Sequence, residues 1–100
     1  MNFQQMMMQA QKLKRELEKA EKELKAKEFT VSKGGAVTIT MLGSKQLVSI
    51  DIDKDALDPD NKEMIEDLIK MGINELVQTI DEEEERINSA LTGQKGGLPF

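Results

Sequence analysis

The side chains of this chain that could act on another molecule are ammonium, guanidinium and carboxylate groups. The cations near the N-terminus are regularly placed: Lys12, Arg15, Lys19, Lys22 and Lys25. With Ala10 at heptad position a, Lys12 and Lys19 fall at c, Arg15 and Lys22 at f, and Lys25 at b. A helix carrying these residues has a cationic stripe on one exposed face, with Glu16, Glu21 and Glu23 at e and g beside the seam and Glu18 at b intruding on the stripe. Phosphates recur along duplex DNA, and a straight cationic ridge can neutralise several of them at once. Such contacts fix position and carry little base information. The same residues also fit an ordinary solvated face, with Glu18–Lys22 and Glu21–Lys25 as i,i+4 pairs.

Other motifs carry less chemistry. The run Asp81-Glu82-Glu83-Glu84-Glu85 is a solvated helix face, a contact for a basic partner, or a gate that keeps DNA away. Asp51, Asp53 and Asp55 resemble the start of a calcium loop, but its sixth position is Ala56 and its twelfth Lys62. The turn glycine and the bidentate glutamate are thus both missing. Gly43-Ser44-Lys45 lacks the glycine frame of a phosphate loop and reads as a turn. Met6-Met7-Met8 fits helix packing by Met6 with partly exposed neighbours, or an adaptable binding surface. The sequence has no His, Cys, Tyr or Trp. A serine nucleophile would lack its imidazole base, and zinc its preferred ligands. No enzyme activity, cofactor or metal is expected.

The elements that must position these residues follow from apolar spacing. Phe3, Met6, Ala10, Leu13, Leu17, Ala20 and Leu24 are spaced 3, 4, 3, 4, 3, 4, which predicts a helix over about 2–27 with a heptad seam. Period-2 alternation around Phe29–Val31, Val37–Met41 and Val48–Ile52 predicts strands near 28–33, 36–42 and 46–53. Gly34-Gly35 and Gly43-Ser44-Lys45 supply short connections, which favour an antiparallel meander. A second helix is expected from near Asp60, with Asp60 and Glu63 as a capping box. Its apolar stripe runs from Met64 through Leu68, Ile73, Leu76 and Ile80 to Leu91. Gly72 interrupts that stripe and suggests close packing. The predicted fold is α+β, in the order α-β-β-β-α. It is a three-stranded antiparallel sheet with long N- and C-terminal helices on one face.

Composition sets the bounds. One hundred residues predict a single domain over 1–92 and a flexible tail over 93–100. No apolar run approaches the ~20 residues needed to cross a bilayer, and no secretory signal opens the chain. With no cysteine, the chain suits a reducing compartment. Net charge is −5, unevenly spread. Residues 1–33 carry eight Lys/Arg against five Asp/Glu, and residues 34–100 carry six against fourteen. An acidic whole argues against indiscriminate nucleic-acid binding, yet the asymmetry leaves one basic surface. The leucine seam and the second apolar stripe exceed what one thin sheet can cover. Leu13, Leu17, Leu24, Leu76 and Ile80 are therefore expected to form a homodimer contact.

Several segments in order resemble the YbaB/EbfC family. They are Gln9-Ala10-Gln11-Lys12-Leu13 in a methionine-rich helix, Gly34-Gly35-Ala36-Val37 before a Thr-rich strand, and Val48-Ser49-Ile50-Asp51-Ile52. Asp58-Pro59 with Lys62 through Ile69, Ile73-Asn74-Glu75-Leu76 and Gly97-Leu98-Pro99-Phe100 complete the match. The C-terminal half departs from the family pattern in being more acidic. Gly72, Ile73 and Leu76 also replace a more alanine-rich stretch. The resemblance implies a cytoplasmic, nucleoid-associated homodimer whose protruding helices grip double-stranded DNA. The alternative is a protein-interaction module that uses the heptad seam and the acidic helix, with weak or indirect DNA association.

Overall fold

A computed structural model describes residues 2–92. The expected tail over 93–100 lies outside the described residues. Helix α1 spans Phe3–Ala26, followed by β1 (Glu28–Lys33), β2 (Val37–Leu42) and β3 (Leu47–Ile52). Two short 3-10 turns, Lys54–Ala56 and Pro59–Asn61, lead into α2 (Lys62–Thr92). The sheet order is β1-β2-β3, antiparallel throughout.

Turn chemistry fixes the meander. Gly34 and Gly35 both have positive φ, +60° and +64°, which side-chain-bearing residues rarely adopt. The Ala36 N–H donates to the Lys33 carbonyl across them at 3.0 Å. Register then pairs Val31 with Ile39 and Phe29 with Met41. On the opposite face the hydroxyls of Thr30 and Thr40 lie 3.1 Å apart, and those of Ser32 and Thr38 3.0 Å apart. Alternation thus gives the sheet an apolar face and a hydroxyl face.

Helix α2 covers the apolar face. Val37, Ile39 and Met41 of β2 and Leu76 and Ile80 of α2 are buried together. Gly72 allows the approach: a Cβ there would stand 2.7 Å from Ile39 Cδ1 and 3.4 Å from Val31 Cγ1. The entry to α2 differs from the expected capping box at Asp60. The chain first makes a 3-10 turn, and Asp58 caps it by accepting the Asp60 N–H at 2.8 Å. Asp60 and Glu63 therefore sit on either side of the true helix start.

Helix α1 does not lie on the sheet with α2. It meets β2 only near its C-terminal end, where Leu24 is buried beside Gly43, and otherwise contacts α2. Asp81 of α2 reaches the same β2–β3 turn through Lys45. From that level the two helices leave the sheet side by side in opposite chain directions. At ~1.5 Å per residue, α1 runs about 32 Å from Leu24 to Phe3, while α2 runs about 15 Å from Asp81 to Leu91. Leu13, Leu17 and Ala20 are half-buried, as are Ile87 and Leu91, whereas residues 2–12 are all exposed. The arm accounts for extents of 69 × 23 × 15 Å and a radius of gyration of 19.3 Å. A compact 100-residue domain would give about 13 Å.

Three of the expected dimer residues are consumed within one chain. Leu24, Leu76 and Ile80 are only 6%, 3% and 0% exposed. One layer of short strands needs α2's stripe as its cover, and Leu24 is sealed by the β2–β3 turn. None of the three has surface left for a second copy.

Replacing Gly72 with Leu should push α2 off Ile39 and lower stability by about 1–3 kcal/mol. Urea unfolding measures this, and an unchanged midpoint would show that helix and sheet are not in close contact there.

Candidate nucleic-acid interface

Helix α1 leaves the five cations singled out in the sequence exposed, with Glu18 exposed among them. Lys12, Arg15, Lys19, Lys22 and Lys25 are all exposed and lie opposite the seam of Leu13, Leu17, Ala20 and Leu24. Thirteen residues separate Lys12 from Lys25, about 20 Å of helix. Among the described residues, none of the five forms an ion pair within 4.0 Å. The i,i+4 pairs Glu18–Lys22 and Glu21–Lys25 are not closed. The five cations are thus free to meet an external anion without first giving up an internal partner. Lys27, one residue past α1, is placed differently: its Nζ sits 5.1 Å from the centre of the Phe29 ring.

Sequence order hides the partners of the acidic run. Asp81 pairs with Lys45 at 2.6 Å, Glu82 accepts from Gln78 at 3.2 Å, and Glu83 is held by Arg86. Glu84 and Glu85 remain exposed. Asp81's hydrogen bond, aided by the charges of Asp81 and Glu84, raises the Lys45 ammonium above its usual pKa despite some opposing desolvation. The group is raised in the fold, so its pairing is intact below 10.5 and is lost only as pH rises beyond that. At neutral pH the Lys45 ammonium stays charged.

The remaining motifs take structural roles. Asp53 caps the first 3-10 turn by accepting the Asp55 N–H at 3.0 Å. Among the described residues no group of three or more acidic side chains is placed to hold a metal ion. Gly43-Ser44-Lys45 is a turn, closed by the Lys45 N–H on the Leu42 carbonyl at 2.8 Å. Met6 does not pack as the seam predicts. It is exposed along with Phe3, Met7 and Met8, and half-buried seam positions begin only at Leu13.

The architecture is therefore a small α+β domain with a two-helix arm whose outer face is a cationic ridge. No helix among the described residues is long and apolar enough to cross a membrane. Residues 1–95 match the model of the YbaB/EbfC DNA-binding family. A nucleoid-associated protein of Clostridium novyi is 44% identical over 94 residues, covering 93% of this chain and 82% of that one. A nucleoid-associated protein of Mycoplasmopsis pulmonis is 39% identical, covering 100% of this chain and 97% of that one. The crystal structure of an uncharacterized Helicobacter pylori protein superposes with a TM-score of 0.75. It covers 93% of this chain and 99% of its own at 24% identity, so the two share a fold. The chain belongs to the YbaB/EbfC DNA-binding family, which is not a family of enzymes.

Amide hydrogen exchange should grade along α1. Residues 3–12 are exposed throughout and should exchange fastest, and β2 slowest. Equal protection at both ends of α1 would contradict the projecting arm.

Proposed function

We propose that the protein binds duplex DNA through the outer face of α1, with Lys12, Arg15, Lys19, Lys22 and Lys25 meeting phosphates. The observation that carries this is the ridge itself: five exposed cations over about 20 Å, none ion-paired among the described residues. Contacts of this type give little base preference. The names of the relatives support a place on the nucleoid, within the cytoplasm. The protein acts as a binder and needs neither cofactor nor catalysis.

The acting unit is a homodimer. With Leu24, Leu76 and Ile80 consumed, the surface best suited to a second copy is the β3 edge. Leu47, Val48 and Ile50 are 41%, 49% and 39% exposed on a strand with one unpaired side. Register places Ile50 beside Ile39, on the face that α2 covers. An exposed apolar edge strand favours pairing with another chain. A two-fold arrangement would close it and leave the arms projecting. Leu13 and Leu17, half-buried between the helices of one arm, contribute less than expected.

Changing Lys12, Arg15, Lys19 and Lys22 together to Glu should abolish duplex binding and leave the sedimentation of the dimer unchanged. Retained binding would show that another face carries the contact. Ile50→Asp should give a monomer by analytical ultracentrifugation, and a persistent dimer would remove β3 from the interface.

The protein-interaction alternative draws on one observation, the exposed apolar tip of Phe3, Met6, Met7 and Met8. It requires partners that survive nuclease treatment of a pull-down, and loss of all partners on treatment counts against it.

A further inference from the structure

The β2–β3 turn touches both helices at the point where they leave the sheet. On the α1 side, the Gly43 N–H donates to the Lys27 carbonyl at 2.8 Å, and the Ser44 N–H donates to the Lys25 carbonyl at 3.3 Å. These carbonyls lie at the end of α1, where helix geometry leaves acceptors without partners. The approach is close: a Cβ on Gly43 would lie 1.8 Å from the Leu24 carbonyl oxygen and 2.7 Å from its carbon. Both are backbone atoms, so no rotamer change can make room. On the α2 side, Lys45 pairs with Asp81, thirty-six positions along the chain. Lys45 has a φ of +72°, a left-handed conformation that is unfavourable for a side-chain-bearing residue such as lysine. A glycine, asparagine or aspartate would fit this backbone more easily. The lysine is therefore held in an unfavourable conformation, with its ammonium on α2.

We infer that Gly43 and Lys45, with Asp81, form a joint that sets the direction of the two-helix arm and so positions the cationic ridge. They touch no ligand themselves. Gly43 fixes α1 through its backbone, and Lys45 ties α2 to the same turn. Helix α2 takes its main direction from its packing on the sheet, and the loop sets how α1 and the free end of α2 stand against it. A second long-range ion pair among the described residues, Lys33 with Glu75, fastens α2 to the β1–β2 end of the sheet. The joint rests on the DNA-binding reading only for its consequence, since the arm's direction can be measured without DNA.

Lys45→Gly separates positioning from stability. It deletes the ion pair while relieving the left-handed backbone. The pair is also exposed enough that its loss should cost little. The natural chain has no cysteine, so Gln11→Cys with Lys54→Cys gives a clean spin-label pair spanning arm and sheet. Labelled protein is diluted into unlabelled protein so that distances arise within one chain. The parent should give one narrow distance. Lys45→Gly should broaden or shift it by several ångströms with the thermal midpoint nearly unchanged. Lys45→Asp combined with Asp81→Lys should restore it. Gly43→Ala should displace α1 more strongly, and if that variant fails to fold, Lys45→Gly alone decides. In parallel, Lys45→Gly should weaken binding to a ~30-bp duplex about tenfold at low salt, with all five ridge cations in place. An unchanged distance distribution in Lys45→Gly overturns the joint. A changed distribution with duplex affinity equal to the parent's overturns its role in positioning the ridge. If the parent itself fails to bind the duplex, the DNA-binding reading falls, and the distance result still decides the joint.

Discussion

The contact between α2 and β2 is the constraint on which everything else rests. A single three-stranded sheet has one apolar face and nothing behind it, so one helix must cover that face. Val37, Ile39 and Met41 meet Leu76 and Ile80, and Gly72 removes the side chain that would hold the helix away. Each fully buried aliphatic side chain contributes about 1.5–3 kcal/mol, so a few of them dominate the stability of a chain this small. One helix is too narrow to cover three strands. The layer is complete over β1 and β2 and open at β3, where Leu47, Val48 and Ile50 remain exposed. The same shortage of cover leaves an apolar edge open along β3.

Because α2 is committed to the sheet for its first five turns, only its last part is free to support α1. The arm follows from that division. The seam of α1 is covered where α2 runs beside it and is bare beyond Leu13. The charges follow the same geometry. The cations of α1 point away from the seam and find no carboxylate among the described residues. Asp81, Glu82 and Glu83 are each engaged by a neighbour. A chain with a net charge of −5 can thus present a local cationic surface, because most of its acids lie outside α1 and three of the four on α1, Glu16, Glu21 and Glu23, flank the seam, leaving Glu18 among the cations.

Periodicity carried most of the architecture. Heptad spacing located α1 to within a residue at each end, and period-2 alternation located the three strands equally well. The cationic face could be read for the same reason, since an exposed helix face depends only on local geometry. What was not legible depends on the partner of each apolar group. Spacing shows that Leu24, Leu76 and Ile80 are buried but not that their cover comes from their own chain. The cap at Asp58 was missed because a 3-10 turn intervenes before α2. The Lys45–Asp81 pair was invisible because it requires a left-handed lysine and the meeting of two distant segments. Met6 continued the seam in sequence, but it is exposed and no element among the described residues covers it.

The most direct test of the account is the salt dependence of binding to two ~30-bp duplexes of unrelated sequence. If the α1 ridge meets phosphates, both should bind alike, and log affinity should fall linearly with log salt at about −0.9 per phosphate neutralised. A flat salt response, or no binding even at low salt, would contradict the cationic ridge as the working surface of this protein.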